Sequence, residues 1–309
     1  MSYYLALDAG GTKTDYLLAD ETRELARART GSIKRMRVDA ETAARNLDEG
    51  LRELIRATGV AMSSVTRTCV GTAGESVPLV ADWLKEAFAA RVAGELILLG
   101  DVEIALDAAF PGEAGVLVLA GTGSNVAGRT QAIDNRPSAL TCAGGWGPAL
   151  ADQGSGYRIG FEALRALFLA HDEGKSTTLL EGVLELWKLA SLDDLVGYAN
   201  LIPPPDVSQL TELVLRCAEQ GDAVAQAVLR RQGEELGYLV RLVMRRLRTA
   251  SDDPGWLPPV AFAGSIMDRV APVRQALAAA VQGEFPGVRM LEGVVDPIRG
   301  ALWRSRNRD

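Results

Sequence analysis

With 309 residues, 48% of them hydrophobic and 24% charged, the chain is long enough for two core-bearing domains and has the composition of an ordinary globular protein. Its formal net charge of −7 argues against broad binding to nucleic acid, which needs a cationic face. Cys69, Cys142 and Cys217 lie far apart without Cys-x-x-Cys spacing, no signal peptide is recognisable, and no apolar run reaches the roughly 20 residues that span a bilayer, so reduced thiols, a cytoplasmic setting and no membrane partner are expected.

In chain order, Tyr3 to Leu7 and Tyr16 to Ala19 predict two strands joined by a glycine turn, with Glu24 to Thr30 as a third. Ala44, Leu47, Leu51, Leu54 and Ile55 fall at helical spacing between Asp39 and Thr58, with Gly59 as the stop. Thr66 to Val70 predicts a strand, Val77 to Ala90 a helix, Glu95 to Leu99 a buried strand, and Val102 to Phe110 another helix. A second copy of the opening pattern starts at Val116: strand, glycine turn, then a short strand from Val126 to Arg129. From about residue 155 to 250 the spacing is helical, in Tyr157 to Ala170, Thr178 to Leu189, Ser208 to Glu219 and Ala223 to Arg248. Strand and helix return with Val260 to Ala263 and Met267 to Gln282, and Asp296 to Arg306 predicts a last helix that packs back on the first domain.

The two glycine turns carry the first chemical signal. Gly10-Gly11-Thr12-Lys13-Thr14 and Gly121-Thr122-Gly123-Ser124 each follow an apolar strand, and glycine lets backbone N–H groups wrap an anion while Thr and Ser add hydroxyl donors. A pair of such turns suggests jaws on one polyphosphate. Asp8, at the end of the first strand, suits Mg²⁺ held through water; Asp15 is better explained as stabilising its own turn. Asp101 follows five apolar residues at the carboxyl end of a strand, where ligands collect in α/β sheets. It is either a helix N-cap or a base that takes a proton from a sugar hydroxyl. Asp107, in the same helix, is expected on a solvated face. Gly144-Gly145-Trp146-Gly147 and Asp152-Gln153-Gly154-Ser155-Gly156 set a ring beside backbone donors and a carboxylate, either a polyol site or a loop with an N-cap. Gly264-Ser265 is a third nucleotide contact or a plain strand-to-helix turn. His171 is the only histidine, so any catalytic base is expected to be a carboxylate.

Taken in order, these motifs resemble the N-acetylglucosamine kinase branch of the sugar-kinase, Hsp70 and actin ATPase superfamily, which includes the BadF/BadG/BcrA/BcrD ATPases. The resemblance implies an α/β protein with two ribonuclease-H-like domains of the actin-like ATPase fold around an interdomain cleft. The domains would span residues 1–114 and 115–296, the second with a large helical insertion, and helix 297–309 would return to the first. It implies ATP and Mg²⁺ as cofactors and a homodimer. Matched by position, Gly10, Gly11, Thr12, Lys13 and Thr14 form the first phosphate loop, Gly121, Thr122, Gly123 and Ser124 the second, and Asp8 is the magnesium-associated acid. Asp101 matches the catalytic base, and Gly145 with Asp152 match sugar-hydroxyl contacts, with Gly144, Trp146 and Gly156 in the same constellation. The family usually places an asparagine in the loop after the third strand; here Thr30-Gly31-Ser32-Ile33-Lys34 stands there and the next asparagine is Asn46. That leaves room for glucosamine, another amino sugar, or an anionic one near Lys34. The cysteines that hold an iron–sulfur cluster in reductase-activating relatives, and the zinc cysteines of the related repressor and glucokinase family, are missing. The expected activity is an ATP-dependent amino-sugar kinase; an ATPase switch acting on a partner protein and a non-catalytic sugar sensor are the alternatives.

Overall fold

Alternation along the first strand decides what each face of the first sheet packs against. In the computed structural model, which describes residues 2–131, 138–251, 253 and 255–307, β1 (Tyr3–Ala9) turns Leu5 and Leu7 to one core and Ala6 to another. β1 pairs antiparallel with β2 (Lys13–Ala19), which pairs antiparallel with β3 (Glu24–Gly31). On its other side β1 runs parallel to β4 (Val65–Gly71), which runs parallel to β5 (Glu95–Leu99), giving the order β3-β2-β1-β4-β5.

Helix α1 (Ala40–Thr58) lies on the Leu5 and Leu7 face through Leu47, Leu51 and Leu54. Asp39 caps it by accepting from the Thr42 N–H, and Gly59, at φ 71°, closes it in the left-handed conformation. α2 (Pro78–Ala89) joins the same core through Val80, Leu84 and Phe88. The opposite face is covered by α3 (Asp101–Ala109) and α11 (Pro297–Arg306), whose Ile104, Ile298, Ala301 and Leu302 pack on Ala6, Leu17, Ala19 and Cys69.

The chain divides into two compact units, Met1–Glu113 with Val295–Asp309, and Ala114–Val294. The second unit repeats the opening hairpin: β6 (Gly115–Ala120) and β7 (Ser124–Arg129) are antiparallel, β7 pairs with β8 (Leu140–Gly144), and β6 runs parallel to β9 (Val260–Ala263). Each hairpin is closed by a three-residue turn, Gly10–Thr12 in one and Gly121–Gly123 in the other. The remainder of this unit is helical: α4 (Gly156–Asp172), α5 (Leu179–Trp187), α6 (Leu192–Ala199), α7 (Thr211–Glu219), α8 (Ala223–Ala250), α9 (Ser265–Arg269) and α10 (Ala271–Glu284).

Three expectations change. The helix expected over Met267 to Gln282 is two helices, because Pro272 has no N–H to give and restricts the residue before it. β8 and α6 were not expected. Asp107 is fully buried rather than solvated, and the Arg304 guanidinium donates to its Oδ2 at 2.7 and 3.0 Å, tying α11 to α3.

Candidate active site

In the first unit the carboxyl ends of β1, β4 and β5 are drawn together by one residue. The Thr72 N–H donates to the Leu99 carbonyl at 2.9 Å and its hydroxyl to the Ala9 carbonyl at 2.9 Å, so Asp8 on β1 and Asp101 just after β5 come to the same sheet edge on either side of β4. Thr72 was not picked out from the sequence, although its place in Gly71-Thr72-Ala73-Gly74 at a strand end was the signal.

Asp101 is the first residue of α3, and Gly100, not Asp101, is the N-cap. Glu103 does the capping work: its Oε2 accepts from the Gly100 N–H at 2.9 Å. The Asp101 Oδ1 accepts from the Val102 N–H at 2.9 Å, which aims a helix-end donor at the carboxylate. The N-cap explanation of Asp101 is therefore replaced by one in which a neighbour caps the helix. Burial, then the charges of Asp101 and Asp15, push the Asp8 carboxyl up to about 7, against the pull of Lys13. An acid destabilised by neighbouring negative charge is suited to a divalent cation. Among the described residues no group of three or more His, Cys, Asp or Glu side chains is placed to hold a metal ion.

Gly10, Gly11 and Thr12 form the turn itself, with Gly11 and Thr12 exposed. Thr14 lies beneath it, buried, and its Oγ1 accepts from the Ile33 N–H. Lys13 reaches Asp15, Nζ to Oδ2 3.2 Å, and Asp15 also accepts from Arg29, so Asp15 ties β2 to β3. The loop after β3 is fastened to the turn: the Ser32 hydroxyl donates to the Gly10 carbonyl at 2.8 Å, and the Asn46 amide donates to the Ser32 carbonyl at 2.8 Å. Asn46 thus reaches the loop from α1 and braces it. Burial and the charge of Arg37 pull the Lys34 ammonium down from its ordinary range, while Asp101 and Glu75 pull it up.

In the second unit the Gly121–Ser124 turn is laced to the start of α4. The Gly156 N–H donates to the Gly121 carbonyl at 2.8 Å and the Ser124 hydroxyl to the Gln153 carbonyl at 2.7 Å. Asp152 is buried at φ 62°, and its Oδ2 lies 3.0 Å from where a side chain on Gly123 would begin. Gly264 has φ 90° and passes so close to β6 that a Cβ would stand 2.3 Å from the Ala120 carbonyl. This brings Ser265 to the turn, its Oγ 3.9 Å from the Cβ position of Gly121. Gly145 is positioned beside Asn125, with a Cβ site 2.7 Å from Asn125 Nδ2. Trp146 is 76% exposed, so its ring faces solvent. Two buried acceptors here, Asn125 Oδ1 and Gln153 Oε1, have no donor among the described residues.

The sequence-predicted residues therefore fall into two sets: Asp8, Gly10 to Thr14 and Asp101 in the first unit, and Gly121 to Ser124, Gly144 to Trp146, Asp152, Gly156, Gly264 and Ser265 in the second. Asn125 and Gln153 were passed over, although both lie inside the quoted glycine motifs.

The sequence model described as the BadF/BadG/BcrA/BcrD ATPase family matches residues 5–303. An N-acetylmuramic acid/N-acetylglucosamine kinase of Clostridium acetobutylicum is 26% identical over 99% of both chains. An N-acetyl-D-glucosamine kinase of Dictyostelium discoideum is 27% identical over 98% of both. Among solved structures, a Chromobacterium violaceum protein assigned provisionally as an N-acetylglucosamine kinase superposes with a TM-score of 0.73 at 24% identity, covering 98% of both chains. A ROK family glucokinase of Streptomyces griseus, solved with glucose and AMPPNP, gives 0.60 at 15% identity over 99% of both. These structural likenesses show the fold of actin-like sugar kinases.

Proposed function

The chain belongs to the BadF/BadG/BcrA/BcrD ATPase family, and from that premise we propose that it is an ATP-dependent kinase that phosphorylates a hydroxyl of an amino sugar, N-acetylglucosamine or a related hexosamine. The observation that carries this reading is Asp101 at the start of α3, relieved of capping by Glu103 and set beside Asp8 at the carboxyl edge of the sheet.

In the proposed reaction the Asp101 carboxylate accepts the proton of the sugar hydroxyl as that oxygen attacks the γ-phosphorus. The new sugar O–P bond forms while the bond to the β–γ bridging oxygen breaks, and ADP leaves with that electron pair. The Gly10–Thr14 turn of the first unit and the Gly121–Ser124 turn of the second each bind nucleotide phosphate, with Gly264 and Ser265 as a further contact in the second unit. Asp8 would hold Mg²⁺, which would supply charge neutralisation to the phosphates when bound. Gly145, Asp152 and Asn125 meet the sugar, whose donors answer the unpaired Asn125 and Gln153 oxygens. Catalysis of this kind is positioning and charge stabilisation rather than covalent chemistry. The expected homodimer and cytoplasmic setting belong to the same reading.

Asp101→Asn keeps the size of the side chain but removes the base. Its kcat is expected to fall on the order of 10²-fold or more while ATP affinity stays at the wild-type level. A coupled ADP-release assay over a panel of hexosamines, with ATP binding followed by calorimetry, reads both. Full turnover in the variant removes Asp101 from the mechanism, and ADP release that no sugar stimulates replaces the kinase by an ATPase switch.

A further inference from the structure

The loop between β3 and α1 carries charge that the reaction above does not use, in the run Lys34-Arg35-Met36-Arg37. Its backbone is fastened to the first glycine turn. The Ser32 hydroxyl donates to the Gly10 carbonyl at 2.8 Å and accepts from the Lys34 N–H at 3.1 Å, so this buried side chain is engaged on both sides. The Asn46 amide holds the Ser32 carbonyl from α1, and Ile33 is buried in the sheet core. A tight turn follows, in which the Lys34 carbonyl accepts from the Arg37 and Val38 N–H groups at 2.8 and 3.2 Å. Folding back in this way returns Arg37 to the glycine turn, with its Cγ and Nε 3.7 and 3.5 Å from the Cβ position of Gly11. Because Gly11 carries no side chain, the arginine lies against the turn itself, and Gly11, Thr12 and Arg37 are all open to solvent.

The turn has a cation of its own in Lys13, but that ammonium is held by Asp15, Nζ to Oδ2 3.2 Å. Asp15 binds Arg29 as well, and Arg37 takes no part in that cluster. Arg37 stands instead by the half-buried Lys34 ammonium. Burial pulls that ammonium down most, and the Arg37 charge adds to the pull, against Asp101 and Glu75. Two like charges brought by one short loop to the edge of a glycine turn repel until an anion arrives. A guanidinium suits phosphate there, because its planar fork donates two parallel N–H bonds where an ammonium offers a point charge. Since Lys34 in turn feels Asp101, Arg37 lies on the side of the turn towards the base, where the transferred phosphoryl group belongs.

We infer that Arg37 is a nucleotide-binding residue of the first unit, whose guanidinium pairs with the terminal phosphate of ATP over the Gly10–Thr14 turn. This rests on the kinase reading above for the role of the turn, and it adds a residue from outside the glycine motif. Ser32 and the turn from Lys34 to Val38 then have a common purpose, which is to carry that guanidinium back to Gly11.

Calorimetric titration with AMPPNP, a non-hydrolysable ATP analogue, and with ADP makes the test, since the two differ by the terminal phosphoryl group. Arg37→Met is expected to weaken AMPPNP binding at least about tenfold, the scale of one charge-assisted hydrogen bond, while ADP binding stays at the wild-type level. In turnover assays the same variant raises the KM for ATP and leaves the KM for the hexosamine unchanged, and Arg37→Lys recovers part of the loss. A thermal melt confirms that each variant is folded. Unchanged AMPPNP affinity, a loss that ADP shares equally, a shift confined to the sugar KM, or a wild-type protein that binds no AMPPNP overturns the inference. The two readings fail separately. A protein that phosphorylates no sugar yet loses AMPPNP with Arg37→Met keeps the inference and loses the kinase, whereas sugar turnover that Arg37→Met leaves untouched keeps the kinase and loses the inference.

Discussion

Burial, and after it the charge of Asp101, push the Asp8 carboxyl at the edge of the first sheet from 3.8 to about 7. A native state that holds this proton more tightly than the unfolded chain gains stability below the unfolded value and loses it as pH rises through about 7. Asp8→Asn is neutral at every pH, so it escapes that loss. At pH 8 it is expected to be more stable than the wild type by on the order of 1–3 kcal/mol, with the difference shrinking towards pH 4. Under the proposed role of Asp8 in supporting Mg²⁺, the same variant is expected to lose Mg²⁺-dependent turnover. Scanning calorimetry at the two pH values checks the slope, and a gap that is equal at both refutes the assignment of the strain to Asp8. Both carboxylates were legible in the sequence because each ends an apolar strand. Their mutual repulsion was not, since it depends on β1, β4 and β5 lying side by side through pairings 60 and 30 residues apart in order of magnitude.

Among the elements, α11 has the tightest fit, and one residue sets it. A Cβ on Gly300 would stand 1.7 Å from the Ile104 carbonyl oxygen and 2.5 Å from the Ala108 nitrogen, both backbone atoms of α3 that cannot swing aside. Gly300→Ala therefore costs about 1–3 kcal/mol or more through overpacking, despite alanine's better helix propensity. Gly283 in α10 is the control: nothing lies within 4 Å of its Cβ position, so Gly283→Ala is expected to stabilise by about 0.4–1 kcal/mol. Urea denaturation of both variants reads the contrast, and two changes of the same sign would contradict the packing argument. Helices with a clean apolar stripe, such as α1 and α8, were legible because their periodicity is local. α6 was missed although Ser191 accepts from the Asp194 N–H as an N-cap should, a signal present in Ser191-Leu192-Asp193-Asp194. β8 ends in glycines that look like loop, and it is a strand only because β7 offers it an edge. Asp107 looked solvated because its partner Arg304 is remote in sequence.

At the scale of the whole molecule the first unit is discontinuous, since it takes its last helix from the chain's end, whereas the second is built from residues 114–294 alone. α11 contributes Ile298, Ala301 and Leu302 to the core under β1. It also closes the Arg304–Asp107 pair, receives Arg67 on the Ser305 carbonyl at 2.9 Å, and sends Arg306 to the Asp20 carbonyl. Each buried aliphatic side chain is worth about 1.5–3 kcal/mol, and stranding Asp107 without its cation costs about 3–5 more. Together these approach the 5–15 kcal/mol, roughly, that holds a domain folded. A chain stopped after Val294 is therefore expected to lose the first unit and, with it, Asp8, Asp101 and all kinase turnover, while the second unit keeps the continuous core from Val116 to Val288. Limited proteolysis followed by mass spectrometry should leave a resistant fragment close to residues 114–294 and digest residues 1–113. If residues 1–113 resist cleavage without α11, the closing helix is an ornament to that unit rather than part of its core.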